Sequence, residues 1–384
     1  MAGYVFISNS SKPTGEQSKR RDDVHPTNVS IPCLKAALDL GFDVYLGTNR
    51  EKPEELKCNF PVKLYDSHTY RSIIAFKDNV IAYKNLCKVI KEGNIKAIHC
   101  NTPIGGMIGR ICGKRMHVDK VIYTAHGFHF YKDAPLFNRT ILKWAEQIMA
   151  HWTDAIITMN QEDYEAAQKF KLRNKGKVYY VPGVGLDLSV YDSNSDAEIG
   201  KREELGIDED KIIIISSGEL NKNKNNKVIL SALAELRHKN ICYVICGTGG
   251  LEDELKQLCR KLDVEDRVIF LGYRDDMKEL LCMSDIFLMS SYREGLSRSI
   301  MEAMAMGKPC IVSDIRGNRD LVDDGKGGYL IKPDDSKGFA CAIDKLAEDK
   351  EMRLDFGLFN KEKIKEFGLN KVCEEMKNIY QGIF

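Results

Sequence analysis

The sequence has no run of apolar residues approaching the roughly 18 that a helix needs to cross a bilayer. It also has no low-complexity tract, and none of its 12 cysteines forms a C-x-x-C pair. These absences argue against a membrane-spanning helix, against long disorder and against redox or zinc sites built on paired cysteines. The first residues, 1–7, enter a strand pattern without a basic region or cleavage site, so no signal peptide is expected. We therefore expect a cytoplasmic protein whose cysteines are structural thiols in a reducing compartment.

Charge is nearly balanced overall, at +1, but unevenly distributed along the chain. Residues 1–184 contain 27 Lys and Arg against 18 Asp and Glu, and the remainder contains 30 against 38. Two interpretations stay open: solvated surface charge without a partner, or a first half that faces anionic lipid or a lipid-linked phosphate. The basic segment 12–23 follows the first strand pattern and has the same two interpretations. No nucleic-acid partner is expected.

Strand and helix patterns alternate throughout, which predicts α/β architecture with parallel sheets. The pattern restarts after about residue 205, so we predict a first domain at 1–184, a linker at 185–205 and a second domain at 206–367. An amphipathic last helix is predicted within 368–384. The predicted strands are Tyr4–Asn9, Asp43–Thr48, Val62–Tyr65, Ala97–Asn101, Lys120–Ala125, Asp154–Met159, Val178–Val181, Ile212–Ser216, Ile241–Cys246, Arg267–Leu271, Asp285–Met289, Pro309–Val312 and Gly328–Ile331.

The most informative segment is 294–309, which follows a predicted strand and opens a helix. Glu294 is predicted in the turn and Glu302 in the helix, with the amides of 295–297 at the helix N-terminus between them. Carboxylates can bind hydroxyl groups and amides can bind phosphate, so this arrangement suits a sugar joined to a nucleotide by a diphosphate. Two glutamates eight positions apart also occur by chance, and Glu294 could simply interact with the helix dipole.

The complete segment, from Glu-Gly-Leu at 294 to Glu-Ala-Met-Ala-x-Gly-x-Pro ending at 309, resembles the E-x7-E signature of retaining glycosyltransferases of family four. Thr-Ala-His-Gly-Phe-His-Phe-Tyr at 124–131 and Gly-Glu-Leu-Asn-Lys-Asn-Lys-Asn at 218–225 resemble the branch that serves exopolysaccharide and capsule synthesis. The resemblance implies the GT-B fold: two Rossmann-like domains that face each other across a cleft, with a C-terminal helix that returns to the first domain.

The same resemblance implies the roles of individual residues. His126, Lys224 and Glu294 are the expected catalytic residues, with Glu294 on a sugar hydroxyl and Glu302 on the ribose hydroxyls. No metal and no cofactor are expected, because no Asp-x-Asp element stands in a family-like position. The expected donor-binding residues are Gly218, Gly247, Thr248, Gly249, Tyr273, Arg274, Gly295, Leu296, Ser297, Arg298 and Glu302.

One loop departs from the family pattern Gly-Arg-Leu-x-x-x-Lys-Gly. Lys224 matches its lysine, but Glu219 stands in place of the arginine and Asn225 in place of the final glycine. A glutamate cannot neutralise a diphosphate, so we hypothesise that Arg298 or Lys222 supplies the missing positive charge.

The reaction implied by the resemblance is transfer of a hexosyl residue from a UDP-sugar to a lipid-linked (polyprenyl-diphosphate) saccharide, with retention of configuration. The enzyme would work at the inner face of the cell membrane as a peripheral protein. Two alternatives stay open: an enzyme resembling UDP-N-acetylglucosamine 2-epimerase on the same fold, and a catalytically inactive partner subunit. An NAD-dependent dehydrogenase is disfavoured, because no G-x-G-x-x-G opens the first helix of either half.

Overall fold

The computed structural model describes residues 1–10, 24–50, 52–72, 74–132, 134–191 and 195–384. The basic segment 12–23, considered as a lipid-diphosphate contact, lies outside the described residues. The chain divides into two compact units, which we call unit 1 (Met1–Gly185 with Leu369–Phe384) and unit 2 (Leu186–Gly368).

Unit 1 contains a parallel sheet of seven strands in the described residues. In chain order the strands β1 to β7 are Gly3–Ile7, Asp43–Thr48, Lys63–Asp66, Ile95–Asn101, Lys120–Ala125, Ala155–Thr158 and Lys177–Tyr180. The helices α1 to α5 and the last helix of the chain, α14, are Ile31–Asp39, Phe76–Glu92, Pro103–Arg115, Lys143–Ala150, Gln161–Ala167 and Leu369–Ile383. A π-helical turn at Asn138–Leu142 leads directly into α4, and 3₁₀ turns occur at Pro53–Glu55 and Arg173–Lys175.

Both faces of this sheet are covered, as the apolar strand patterns indicate. Along β1, Tyr4 and Phe6 belong to one core, and Val5 and Ile7 belong to the other. Helices α2, α3 and α4 contribute to the core that contains Val5, whereas α1 and α14 contribute to the core that contains Tyr4. The C-terminal helix thus returns to the first domain, as expected.

A buried polar chain joins this returning helix to the sheet. The hydroxyl group of Tyr380 on α14 lies 2.6 Å from that of Tyr4 and 2.5 Å from Nδ1 of His99. Nε2 of His99 lies 2.7 Å from the hydroxyl oxygen of Thr124 on β5. Because His99 is fully buried, its pKa falls to about 3, so it stays neutral at physiological pH.

In its described part, unit 2 contains a second parallel sheet, of six strands. The strands β8 to β13 are Ile212–Ser217, Ile241–Cys246, Val268–Gly272, Ile286–Met289, Cys310–Ser313 and Gly328–Ile331. The helices α6 to α13 are Ser195–Leu205, Asn226–Glu235, Glu252–Lys261, Met277–Met283, Arg298–Ala305, Asn318–Leu321, Ser336–Glu348 and Lys350–Lys363. Leu188–Tyr191, Glu265–Arg267 and Ile364–Phe367 form 3₁₀ turns. No helix in the described parts of either unit is both long and apolar enough to cross a membrane.

Both sheets have the strand order of the doubly wound Rossmann fold. Unit 1 has the order β3-β2-β1-β4-β5-β6-β7 and unit 2 the order β10-β9-β8-β11-β12-β13. The chain therefore reverses its direction of winding between β1 and β4 in unit 1, and between β8 and β11 in unit 2. Ligands of such sheets bind at this switch point, beyond the carboxyl ends of the strands.

The stretch expected to be a linker, 185–205, lies in unit 2 apart from its first residue. Leu186 is buried in a core of unit 2, and Leu188, Tyr191 and Leu205 pack against that core. Helix α6 also packs against α9. The polar residues near 192–196 suggested a boundary, but the apolar residues on either side of them anchor the stretch to the second sheet.

Candidate functional site

The switch point of unit 2 contains a small pocket. The carboxyl end of β8 and the loop after it line one side, and the carboxyl end of β11 lines the other. The pocket's empty volume of about 240 Å³ includes space that is open to solvent. Its lining residues are Ser216, Ser217, Gly218, Lys224, Asn226, Leu288, Met289 and Ser290.

Two of the predicted catalytic residues meet beside this pocket. Nζ of Lys224, in the loop after β8, lies 2.8 Å from Oε1 of Glu294, in the loop after β11. The Lys224 side chain is 21% exposed and that of Glu294 is 17% exposed, so the pair is shielded from solvent without being sealed off. The lysine has three donor positions, and this bond uses one of them.

Further hydrogen bonds join the same two loops. The side-chain amide of Asn223 donates to the carbonyl oxygen of Arg293 at 3.0 Å, and the backbone amide of Tyr292 donates to the carbonyl oxygen of Asn223 at 2.8 Å. The buried hydroxyl group of Ser290 donates to the carbonyl oxygens of Lys224 at 3.0 Å and Asn225 at 3.1 Å. These bonds hold the backbone on both sides of the Lys224–Glu294 pair.

Asn225 explains one departure from the family pattern. Its backbone is left-handed, with φ 50° and ψ 38°, immediately before α7 begins. Glycine adopts this conformation most easily, and asparagine is among the few other residues that tolerate it. The Asn225 side chain also donates to the carbonyl oxygen of Pro333 at 2.8 Å, a bond that glycine could not make.

The predicted glycine-rich loop after β9 lies against the loop after β8. A Cβ atom on Gly247 would lie 1.9 Å from the carbonyl oxygen of Gly218, so this position requires glycine. The backbone amide of Leu220 donates to the carbonyl oxygen of Thr248 at 2.9 Å, and Gly249 lies against the backbone of Leu220. The two loops thus form one backbone surface at the carboxyl edge of the sheet.

The residues Gly295, Leu296 and Ser297 lie at the start of α10, as predicted. Ser297 is the N-cap of this helix, and its side chain accepts a hydrogen bond from the backbone amide of Ile300. Gly317, which belongs to none of the motifs described above, lies against this turn with a positive φ of 76°. A Cβ atom on Gly317 would lie 1.8 Å from the carbonyl oxygen of Gly295, so a side chain at position 317 would displace the turn.

Glu302, one turn into α10, has two partners. Its Oε1 accepts from Nε of Arg298 at 2.8 Å and from the hydroxyl group of Tyr191 at 3.1 Å. Burial, together with the carboxylate of Glu302, raises the pKa of Tyr191 to about 12, so the phenol remains a hydrogen-bond donor. Glu302 is therefore oriented by two donors within unit 2.

The two donor contacts predicted after β10, Tyr273 and Arg274, have different environments. Tyr273 is 81% exposed. Nε of Arg274 donates to Oδ1 of Asp276 at 2.7 Å, and its terminal nitrogen lies 3.1 Å from Oε1 of Glu204. Lys201 also pairs with Asp276, at 2.7 Å. Hydrogen bonds from Arg274 lower the pKa of Asp276, so this carboxylate is ionised and holds the arginine within unit 2.

Glu219 lies at the surface, as do Lys222 and Arg298, the two residues predicted to supply the missing positive charge. Glu219, which replaces the family arginine, is exposed, and so is Lys222. Arg298 is 62% exposed, and its Nε is bonded to Glu302. Compensation by either residue stays a prediction.

His126 lies at the switch-point edge of unit 1, at the end of β5. Its Nε2 lies 2.6 Å from Oδ1 of the fully buried Asn101, which ends β4. Because an amide oxygen only accepts, Nε2 carries the proton and Nδ1 is the free acceptor of the neutral ring. Burial lowers the pKa of His126 to about 4. Thr102, directly after Asn101, has a φ of 65°, an unusual conformation for a β-branched residue.

The segment after His126 is anchored on both sides. Phe128 and Phe130 stack on each other with ring centroids 4.7 Å apart, and both are buried in the core of unit 1. The backbone amide of Phe128 donates to Oδ2 of Asp163 at 3.0 Å. Asp163 is in turn held by Asn160, the N-cap of α5, through a hydrogen bond of 2.8 Å. The apolar residues of the motif therefore anchor the loop that carries His126.

Several residues of these sites have weak or no local signals in the sequence. Asn223, Ser290, Tyr191, Gly317 and Asn101 act through partners that are distant in the chain. Glycine and polar residues are common at strand ends, so their type alone does not indicate a site. Only the strand order shows which strand ends are neighbours. Among the described residues, no three His, Cys, Asp or Glu side chains are grouped as a metal site would require.

Comparison with known families gives matches in both units. The family model described as "Glycosyl transferases group 1" matches residues 198–363, and the one described as "Glycosyl transferase 4-like" matches residues 22–161. The first match lies in unit 2 and the second in unit 1.

Individual proteins are similar over most of their length. "Putative glycosyltransferase EpsD" of Bacillus subtilis (strain 168) is 33% identical over 368 residues, which cover 94% of each chain. The Escherichia coli "UDP-Gal:alpha-D-GlcNAc-diphosphoundecaprenol alpha-1,3-galactosyltransferase" is 28% identical and covers 81% of each chain. The crystal structure of Anabaena Alr3699/HepE in complex with UDP and glucose covers 100% of both chains, with a TM-score of 0.77 and 18% identity. This last similarity confirms the predicted GT-B fold. With the match to EpsD, it follows that the chain belongs to the group-1 glycosyltransferases of the family-four type, in the exopolysaccharide branch.

Proposed function

We propose that this glycosyltransferase moves a hexosyl residue from a UDP-sugar to a saccharide carried on a polyprenyl diphosphate, with retention of configuration and without a metal ion. The product would contribute to an exopolysaccharide, a capsule or a related glycan. The observation that carries the proposal is the Lys224–Glu294 pair beside the switch-point pocket of unit 2.

The donor site is proposed in unit 2. Its pocket lies where doubly wound sheets bind nucleotides, and the start of α10 offers backbone amides to a phosphate. Glu302, oriented by Tyr191 and Arg298, is the proposed ligand of the ribose hydroxyls. The name of the Escherichia coli relative specifies UDP-Gal, and the solved Anabaena protein holds UDP and glucose.

The chemical step breaks the bond between the sugar's anomeric carbon and the diphosphate oxygen. A new bond forms from an acceptor hydroxyl oxygen to the same face of that carbon, and the hydroxyl proton passes to the departing diphosphate. Because the breaking bond leaves its electron pair on the diphosphate, negative charge grows there before the proton arrives, and Lys224 and the amides of 295–297 would stabilise it. Glu294 would orient both Lys224 and a hydroxyl group of the transferred sugar.

His126 is the proposed contribution of unit 1 to sugar binding. Since burial lowers its pKa to about 4, the ring is neutral at pH 7. Its hydrogen bond to Asn101 leaves Nδ1 as an acceptor for a hydroxyl group. A neutral histidine adds no positive charge, so charge stabilisation of the leaving group rests on Lys224 and its neighbours.

The proposed acceptor is a saccharide carried on a polyprenyl diphosphate. The Escherichia coli relative is named for a GlcNAc-diphosphoundecaprenol acceptor. Residues 1–184, with 27 basic against 18 acidic residues, would favour an anionic surface. We therefore propose that the enzyme acts on the cytoplasmic face of the cell membrane as a peripheral protein.

The purified protein should be incubated with a panel of UDP-sugars and a lipid-linked GlcNAc diphosphate acceptor, with and without EDTA. The proposal expects acceptor-dependent UDP release that EDTA does not abolish, and a product whose new linkage has the donor's anomeric configuration. An inverted linkage would contradict retention, and loss of turnover in EDTA would contradict metal independence. A changed UDP-sugar without acceptor would indicate an epimerase instead. Absence of UDP binding, with co-purification of another transferase, would indicate an inactive subunit.

A further inference from the structure

The helix that begins after Pro135 exposes large apolar side chains in unit 1. Leu136 is 75% exposed, Phe137 62%, Ile141 49% and Trp144 62%. Phe137 and Ile141 lie on the π-helical turn or directly before it, and Trp144 lies on α4, so their large exposed fractions, not α-helical spacing, place them on the outer surface of this helix. Isolated exposed apolar residues are common, but four large ones within residues 136–144, two of them aromatic, form an apolar stripe that indicates a binding surface.

Exposed basic side chains accompany this stripe. Arg139 and Lys143, four positions apart, are both exposed. Glu146, the one acidic residue of α4, is turned away to the fully buried Arg110 on α3, at 2.7 Å. The outer surface of this helix thus combines apolar and positively charged groups.

Helix α2 repeats the same combination. Near its N-terminus Phe76 is 76% exposed, Val80 37% and Ile81 40%. Lys77 and Lys84 are exposed beside them. Its first-turn carboxylate, Asp78, is directed inward and lies 3.0 Å from Nε2 of His68.

Both apolar–basic surfaces lie at the same edge of the sheet. Helix α2 follows β3, and the helix that ends as α4 follows β5, so each begins near the carboxyl ends of parallel strands. Helix α3 packs against both. His126 and Asn101 lie at that edge as well, because Asn101 ends β4 and His126 directly follows β5.

We infer that the outer surfaces of α2 (Phe76, Lys77, Val80, Ile81) and of the helix 136–150 (Phe137, Arg139, Ile141, Lys143, Trp144) dock on an anionic lipid surface. This inference rests on the proposed function, since it brings the edge that carries His126 to the layer holding a lipid-linked diphosphate. The exposed cations are attracted to anionic headgroups, while Trp, Phe and Ile enter the boundary with the acyl chains, so an anionic lipid surface fits both kinds of side chain. A second copy of the chain would place like charges against each other.

Trp144 allows docking to be observed directly. The chain has two tryptophans, and the other, Trp152, is half-buried with Nζ of Lys114 4.1 Å from the centre of its ring. A Trp152→Phe variant therefore reports on Trp144 alone. Mixed with vesicles of phosphatidylcholine and phosphatidylglycerol, it should show a blue-shifted emission that brominated lipid quenches. The shift should weaken with pure phosphatidylcholine and at high salt.

Binding is then measured by vesicle co-sedimentation. The variant Phe137→Ser/Trp144→Ser should bind at least about tenfold more weakly, because it removes two large apolar contacts with the lipid. The matched control is Leu354→Ser/Leu358→Ser on α13 of unit 2, whose leucines are 58% and 66% exposed. The control should bind like the parent protein. Circular dichroism and thermal midpoints verify that both variants are folded.

Equal binding by parent and Phe137→Ser/Trp144→Ser, or an unshifted Trp144 emission, would overturn the inference. If the parent protein sediments as a dimer and does not bind vesicles, while Phe137→Ser/Trp144→Ser is a monomer, the surface would instead be a contact between two copies of the chain. Turnover separates the inference from the proposed function. If vesicle binding follows the surface but no acceptor is glycosylated, the docking stands and the proposed function fails. If the variant glycosylates vesicle-embedded and short-chain soluble acceptors as the parent does, the docking fails and the function stands.

Discussion

Nζ of Lys224 lies 2.8 Å from Oε1 of Glu294, although 70 residues separate them in the chain. Strands β8 and β11 are neighbours in the sheet of unit 2, while β9 and β10 lie on the far side of β8. The loops that leave the two neighbouring strands therefore meet at the switch point. The cation proposed to bind the diphosphate and the anion proposed to bind a sugar hydroxyl are thus assembled at one position.

Restoring the family arginine tests the charge-compensation hypothesis. We expect Arg298→Ala to lower kcat/KM for the donor by about tenfold, since it removes one positive charge near the start of α10. Glu219→Arg in the same background should recover most of this loss. Glu219→Gln is the control, because it removes the negative charge without adding a cation. If Arg298→Ala and Lys222→Ala each kept full turnover in steady-state UDP-release assays, neither residue would compensate.

The left-handed backbone of Asn225 predicts an unusual order of stability. Asn225→Gly should be tolerated, losing mainly the bond to Pro333, whereas Asn225→Val should cost about 1–2 kcal/mol, because a β-branched residue resists this conformation. Urea unfolding followed by circular dichroism measures the difference. A valine variant as stable as the glycine variant would show that the backbone at this position is not constrained.

Asn101 is predicted to position His126 by holding one tautomer of its ring. Asn101→Asp places a carboxylate beside the imidazole, which favours the charged ring and raises the pKa of His126 from about 4. The acidic limb of the profile of kcat/KM against pH should therefore move to higher pH. Asn101→Ala should lower kcat without that upward movement, because it adds no charge. If the acidic limb of the Asn101→Asp profile lies at the same pH as that of the parent, Asn101 does not act through His126.

Burial of His99 predicts acid sensitivity in unit 1. The pKa of this histidine is about 3 in the folded protein, against about 6.5 when unfolded. Below pH 6.5 the unfolded chain therefore binds a proton that the folded chain does not, and stability falls as pH falls. Between pH 7 and pH 5 the loss should be about 2 kcal/mol.

Both tryptophans lie in unit 1, so tryptophan fluorescence during urea unfolding follows this unit. His99→Gln retains polar groups at the site but does not titrate, and should lose less stability at pH 5 than the parent. His151→Gln, at an exposed position, is the control and should behave like the parent. Equal acid sensitivity in the parent and His99→Gln would contradict this explanation.

The fold follows closely from the sequence. Every predicted strand is present, with ends that differ by at most two residues, because strands buried on both faces form continuous apolar runs bounded by polar turns. The linker at 185–205 was less predictable. Its polar centre indicated a boundary, whereas the burial of Leu186 depends on a core formed by residues far away in the chain.

The site was only partly predictable. The motifs identified Lys224, Glu294 and Glu302, but the hydrogen bond from Tyr191 to Glu302 spans 111 residues and has no local signal. Arg274 was expected to contact the donor, and the sequence did not indicate its bonds to Asp276 and Glu204. Such pairs form between loops that leave neighbouring strands. The periodicity within one segment does not indicate which strands are neighbours.

The most direct test of the donor site compares kcat/KM for the UDP-sugar in Lys224→Ala, Glu294→Gln and a matched control. Lys227→Ala, three positions further on and paired with Glu254 at the surface, is that control. Removing one preorganised electrostatic group from a transition state typically costs about 10²–10³-fold, so we predict losses of this order for Lys224→Ala and Glu294→Gln, and parental activity for the control. Full activity in both Lys224→Ala and Glu294→Gln would contradict the assignment of this pair to the reaction.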